Sequence, residues 1–337
     1  MTNFRAKSIF VVRRDAQRFS QVSNVQLLNC SLTPSLWHNA AMNRGYLYAL
    51  TSYILWGFFP IFWKQLHALP AGEVILHRII WSWVFLLLIG LFRRRWAWLR
   101  QLYRQPRRSL MLAIAAVLLG LNWLTYVWGV NHGFVVQASL GYFISPLLNV
   151  LLGVLLLGDN LRRLQWWAVG LAGTGVLYLI IGVGEMPWVA LGLASSFSLY
   201  GFYKKKMHLD AVSGLTAEMT ILILPALILA GLLMSRGQAH FATNTTTMLL
   251  LMSGGVVTAV PLLLYAAALQ TVPLSVVGVM QYLAPLLQFF VGIIIYREPF
   301  SRGRLIGFTI IWVAVALFIF DTLRTHQDRS ARARAGA

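Results

Sequence analysis

Apolar runs of 18 or more residues recur along most of this sequence, and each is long enough to cross a bilayer as a helix. Ten runs qualify, at roughly 45–66, 72–92, 110–130, 134–157, 164–183, 187–204, 213–234, 246–269, 273–296 and 304–322. They are uniformly apolar, whereas a β-barrel would read as segments of about ten residues with alternating polarity. Only 11% of residues are charged, against about 25% in soluble domains. The predicted fold class is therefore an all-α polytopic membrane protein with ten transmembrane helices.

The formal net charge is +19, which would suggest a nucleic-acid surface if the basic residues formed one patch. They are instead confined to the short segments between apolar runs, so nucleic acid is not an expected partner. Their distribution sets the direction of the chain, because lysine and arginine are retained on the cytoplasmic side. With both termini cytoplasmic, 22 of 28 basic residues fall inside, five fall outside, and Arg78 lies within a span. The exception is YREPFSRGR after span nine. Membrane lipids are the expected surroundings and the bacterial inner membrane the expected location.

Residues 1–41 are polar and mildly basic and contain no apolar core, which argues against a cleavable secretory signal. They read as a disordered cytoplasmic tail, with translation from Met42 as the alternative. Residues 323–337 read as a basic cytoplasmic C-terminal tail. The single cysteine, Cys30, permits no intrachain disulfide.

TSYILWGFF at 51–59 is echoed by SSFSLYGFY at 195–203, with small hydroxylated residues first, then an aromatic, then Leu-aromatic-Gly-Phe-aromatic. The correspondence extends further. Offset by 139, Tyr126 aligns with Tyr265, Pro146 with Pro285, Asn149 with Gln288 and Asp159 with Glu298, while Glu73 has its counterpart in Glu218. The chain reads as two five-helix repeats, 42–184 and 185–322. Five is odd, so the second repeat enters the membrane upside down. Inverted repeats around a midplane site are a secondary-transporter architecture, in which two similar halves exchange shapes to give alternating access.

The segments GYLYALTSYILWGFFPIFWKQL, EVILHRIIWS, LNWLTYVWGVN and ASLGYFISPLLNVLLG resemble the RarD proteins, named for chloramphenicol sensitivity, of the EamA-type drug/metabolite transporter superfamily. The resemblance covers Met42 to about Asp321. It implies ten helices, an inner-membrane location and export-type transport of small molecules, with spans five and ten peripheral to the substrate cavity. It supplies no substrate. One departure is Asp159, where the family usually carries Glu.

Ionisable groups inside a span cost about 2.5–3.5 kcal/mol each at the centre by insertion scales, and few occur here. Glu73 and His77 share a helix face, and a carboxylate beside an imidazole can exchange a proton near neutral pH. They read as proton coupling, as an anchor for a charged substrate, or as a structural pair at the helix mouth. Arg78 and Glu218 are further candidates for charge coupling. Pro146 and Pro285 each remove a helix hydrogen bond at matching places in the two halves, either to shape the pathway or merely to kink a helix. Tyr53, Trp56, Tyr126, Tyr142, Tyr200, Tyr265 and Tyr282, with Asn122, Asn149, Gln281 and Gln288, would give an apolar pocket a few polar handles for a small organic substrate. The alternative for the aromatics is an interfacial belt. Small residues at 170–175 and 303–307 offer helix-packing faces and suggest a homodimer through spans five and ten.

An enzyme is not expected. The sequence contains no HExxH, no G-x-S-x-G with partners, no acidic metal cluster and no P-loop, so neither a catalytic residue, a metal nor a cofactor is assigned. The reading is an inner-membrane secondary transporter exporting a small metabolite or drug, with proton coupling as one option. The alternative is a non-transporting receptor or assembly subunit.

Overall fold

The computed structural model describes residues 44–93, 105–182, 184, 186–241, 243–297 and 302–335. The expected tail 1–41 and Glu298 lie outside them, and everything below concerns the unit Gly45–Ala337. Among the described residues there is no strand. The chain forms α1 (Arg44–Leu66, ending in a short 3-10 turn), α2 (Ala71–Arg93), α3 (Pro106–Asn131), α4 (Val135–Leu157) and α5 (Arg163–Ile181). The second half supplies α6 (Trp188–Met207), α7 (Ala211–Ser235), α8 (Thr245–Thr271), α9 (Leu274–Ile295) and α10 (Arg302–Ala335). Nine of these contain stretches long and apolar enough to cross a membrane. The tenth, α6, carries Ser195, Ser196, Ser198 and three lysines, and Ser196 and Ser198 are turned inward against neighbouring helices.

Local chemistry sets the helix ends. Asp210 and Asn244 cap α7 and α8 by accepting from the backbone N–H groups of Ser213 (3.1 Å) and Thr247 (2.7 Å). Pro106 opens α3, where a missing N–H costs nothing. Gly158, at φ 71°, closes α4 in the left-handed conformation that favours glycine. Several helices exceed their expected bounds, two of them in a way that moves basic residues into a helix. Span six, expected at 187–204, runs on to Met207, so that Lys204, Lys205 and Lys206 lie in the last turn of α6. The C-terminal tail continues α10 to Ala335.

Helix pairing follows the repeat. Extensive contacts join equivalent helices of the two halves: α2 with α7, α4 with the first part of α9, and α5 with α10. The packing of α2 on α8 is mirrored by that of α7 on α3, as a twofold relation requires. Leu86, Leu119, Leu215 and Met219 are fully buried in the main core.

The two prolines act differently. Span nine is interrupted: one helix runs Leu274–Met280, a second runs Leu283–Phe290, and Gln281 and Tyr282 form the joint. Pro285 has no N–H to give the carbonyl of Gln281, and that carbonyl accepts from the N–H of Ala284 instead (3.1 Å). Pro146 sits inside an unbroken α4. Of the two matching positions only the one in α9 is thus interrupted; a further break lies in α1 at Phe58, just before Pro60.

Candidate functional site

A cavity of about 280 Å3 opens between the two halves, near the small end of ligand pockets (about 300–1,000 Å3). Its walls come from α1, α2, α3 and α4 of the first half and α6, α8 and α9 of the second. The lining lies at mid-helix or towards the α1–α2 and α3–α4 connections. Trp56, Asn122, Tyr126, Tyr142, Gln281, Pro285 and Gln288 all line it. Of the four ionisable candidates, Arg78 alone does.

Arg78 is held on three sides. Its Nε donates to Thr258 Oγ1 (3.0 Å), and its guanidinium carbon lies 4.7 Å from the ring centroid of Trp63 and 4.9 Å from that of Trp123, a cation–π arrangement. Opposite stand Tyr126 and Tyr142, edge to face with centroids 6.3 Å apart. Asn122 donates to the carbonyl of Leu193 (2.9 Å) and to Ser196 (3.0 Å), which joins α3 to α6. Gln288 donates to the carbonyl of Trp56 (3.0 Å), which joins α9 to α1.

The other amides lie deeper. Asn149 is fully buried and donates to Gln281 Oε1 (2.8 Å), and Gln281 donates to Ser145 Oγ (3.1 Å). Tyr282 donates to the carbonyl of Phe143 (3.1 Å). These bonds stitch the joint of α9 onto α4. Pro146 lies in the same crossing, where its carbonyl is 3.0 Å from the position a Cβ on Gly278 would take. Asn149, Tyr282 and Pro146 therefore hold the wall without lining the cavity.

Beneath the cavity the molecule is closed. Tyr53, Tyr200 and Tyr265 are fully buried, with Tyr265 in ring contact with both of the others, and Trp56 and Phe197 pack on Tyr265 at tilted angles. Tyr53 donates to the carbonyl of Val277 (3.0 Å). Glu218 accepts from Lys204 Nζ (2.5 Å) and from the Tyr200 hydroxyl (3.1 Å), all three being buried. Lys205 donates to the carbonyls of Leu269 (2.9 Å) and Val272 (2.7 Å), closing the C-terminal end of α8. Asp159, just beyond α4, accepts from both the N–H (2.9 Å) and the hydroxyl (2.8 Å) of Ser275, and so caps α9 from another helix.

At the opposite end, the principal partner of Glu73 is His240 in the α7–α8 connection, whose backbone N–H and Nδ1 lie 2.6 and 2.8 Å from its carboxylate. His77 is 3.9 Å away and stacks on Phe241. Both residues stand off the cavity. Among the described residues no three His, Cys, Asp or Glu side chains converge as a metal site would need.

Comparison with known proteins bears on this architecture directly. The EamA-like transporter family matches residues 43–181 and, a second time, 186–320. The chain belongs to the EamA-like transporter family. Among its relatives, Protein RarD of Streptomyces exfoliatus is 44% identical over 294 residues, 87% of this chain and 93% of its own. Protein RarD of Escherichia coli is 40% identical over 288 residues, covering 85% and 97%. The Chloramphenicol-sensitive protein RarD of Pseudomonas aeruginosa is 30% identical, covering 86% and 98%. A solved crystal structure shares the fold, with a TM-score of 0.63 at 17% identity over 81% of this chain and 96% of its own. The protein is thus a RarD-type membrane transporter of the EamA family, multi-pass in the inner membrane.

In this EamA chain α5 and α10 stand outside the cavity lining. Gly175 packs against Ile311 and the carbonyl of Gly307, and Gly307 against Leu179. These two small residues serve α5–α10 packing within the chain; Gly170 and Gly173 have open space beside them. Sequence reasoning missed Trp63, Trp123 and Thr258 around Arg78. Trp123 directly follows Asn122, and Thr258 is a hydroxyl within an apolar run, so both were readable in principle. His240 was not: its contact spans 167 positions.

Proposed function

We propose that this transporter is a secondary exporter that carries a small organic solute out of the cytoplasm through this cavity by alternating access. The observation that carries the reading is the asymmetry of the two ends: the cavity occupies one half of the helix bundle, and buried tyrosines, the Lys204–Glu218 pair and the Asp159 cap seal the other. The lysine and arginine distribution puts the sealed end at the cytoplasm and both termini with it. Two inverted halves need only exchange conformations to reverse this arrangement.

Each end carries an acid in a bond that would break on exchange, Glu73 with His240 and Glu218 with Lys204, and these are the candidates for proton coupling. The test is purified protein in liposomes under an imposed pH gradient, with solute and proton flux followed together for wild type, Glu73→Gln and Glu218→Gln. The solute panel includes chloramphenicol, since a relative is named for sensitivity to it. Solute movement with matching proton counterflow, lost in one of the variants, is expected. Folded, inserted protein that moves no solute of any charge overturns the reading.

A further inference from the structure

We infer that the cavity binds an organic anion, and specifically that Arg78 receives a carboxylate on the solute; this rests on the reading of the cavity as the solute site. A charge inside a membrane span is costly and normally compensated. The five carboxylates whose side chains are described are all engaged elsewhere. Glu73 is with His240, Asp159 with Ser275, Asp210 with Ser213, Glu218 with Lys204, and Asp321 with Arg162 (2.7 Å). Among the residues lining the cavity Arg78 is the sole charged side chain, so the chamber is electropositive.

The hydrogen-bonding inventory points the same way. A guanidinium has five N–H donors. Nε is used by Thr258, and among the described residues no acceptor engages the two terminal nitrogens. Those nitrogens present the planar fork that binds a carboxylate through two parallel bonds. The rings of Trp63 and Trp123 hold the plane in place. Tyr126 and Tyr142 also line the cavity and add hydroxyls from the facing wall. The remaining lining includes Trp56, Phe59 and Phe197, which suits an apolar body behind the acid. A cationic solute would meet an uncompensated positive charge, and a neutral one would leave the fork unfilled.

Binding can be measured without transport, on the full chain purified in detergent. The probes are three molecules of one shape: 3-phenylpropionate, 3-phenylpropionamide and 3-phenylpropylamine, extended by a panel of aliphatic and aromatic carboxylates with their amides. The readouts are quenching of tryptophan emission and the shift in thermal unfolding. Carboxylates are expected to bind at least tenfold tighter than their amides, with the amine weakest. Arg78→Gln should remove this discrimination, and Arg78→Lys should retain the preference for acids with weaker binding; size-exclusion profiles show that each variant is folded. Amide or amine bound as well as acid, unchanged discrimination in Arg78→Gln, or no carboxylate bound by folded wild type overturns the assignment. Flux of neutral or cationic solutes in liposomes would leave the transport reading standing while the anion assignment falls.

Discussion

Lys204 and Glu218 are both withdrawn from solvent, at 4% and 0% exposure, so each depends on the other. Removing one charge from such a pair leaves its partner buried and uncompensated, a loss of about 3–5 kcal/mol, whereas replacing both groups with matched apolar or neutral ones is close to neutral. Lys204→Met is therefore expected to lower the unfolding temperature in detergent sharply, and Lys204→Met with Glu218→Gln to recover most of the loss. Tyr265 offers a steric counterpart. A Cβ on Gly201 would collide with its hydroxyl oxygen, and that hydroxyl has no hydrogen-bond partner among the described residues. Gly201→Ala should destabilise, and adding Tyr265→Phe should restore stability, read by the same unfolding assay. At this scale the sequence exposed Arg78, Glu73 and Glu218, since a charge interrupting an apolar run stands out. It ended span six at Lys204, because the apolar run stops at Tyr203 while the helix continues to Met207. It could not pair Glu73 with His240, because nothing local links them.

The prolines and the acid beyond α4 are element-scale features. Pro285 breaks α9 beside Gln281, and the joint is tied to α4 through Asn149 and Ser145. Restoring the missing donor with Pro285→Ala should straighten α9 and reduce transport severalfold in liposomes while the protein still inserts and folds. Pro146→Ala, in a continuous helix, should have the smaller effect. Equal loss from both would mean that the break is not what matters. Asp159 caps α9 from outside its own helix, and removal of such a cap costs about 0.5–2 kcal/mol. Asp159→Ala should lower stability by that amount and loosen the sealed end, read as faster maleimide labelling of a cysteine at Ser275. The repeat alignment located both prolines and Asp159. It could not foresee that one proline breaks its helix and the other does not, because that depends on tertiary packing at the α4–α9 crossing.

Across the whole molecule, the ten helices and their division into two repeats were legible because apolar length and the recurring phrase constrain topology strongly, whereas which helices pair across the halves was not. The cavity was legible only in part. Seven of the expected aromatic, amide and proline residues line it together with Arg78, while Tyr53, Tyr200 and Tyr265 are buried beneath it; side-chain direction within a uniformly apolar helix leaves little periodic trace in the sequence. Reporter fusions are expected to place both termini and the α6–α7 connection in the cytoplasm; a periplasmic C-terminus would reverse the assignment of the sealed end. The central claim, that one cavity is reached alternately from two sides, is tested by a single cysteine at position 142 in a Cys30→Ser background. It would be labelled with a membrane-impermeant maleimide in right-side-out and in inside-out vesicles. The account predicts reaction in both, with any bound solute changing the two rates in opposite directions. Reaction from one face alone under every condition would contradict it.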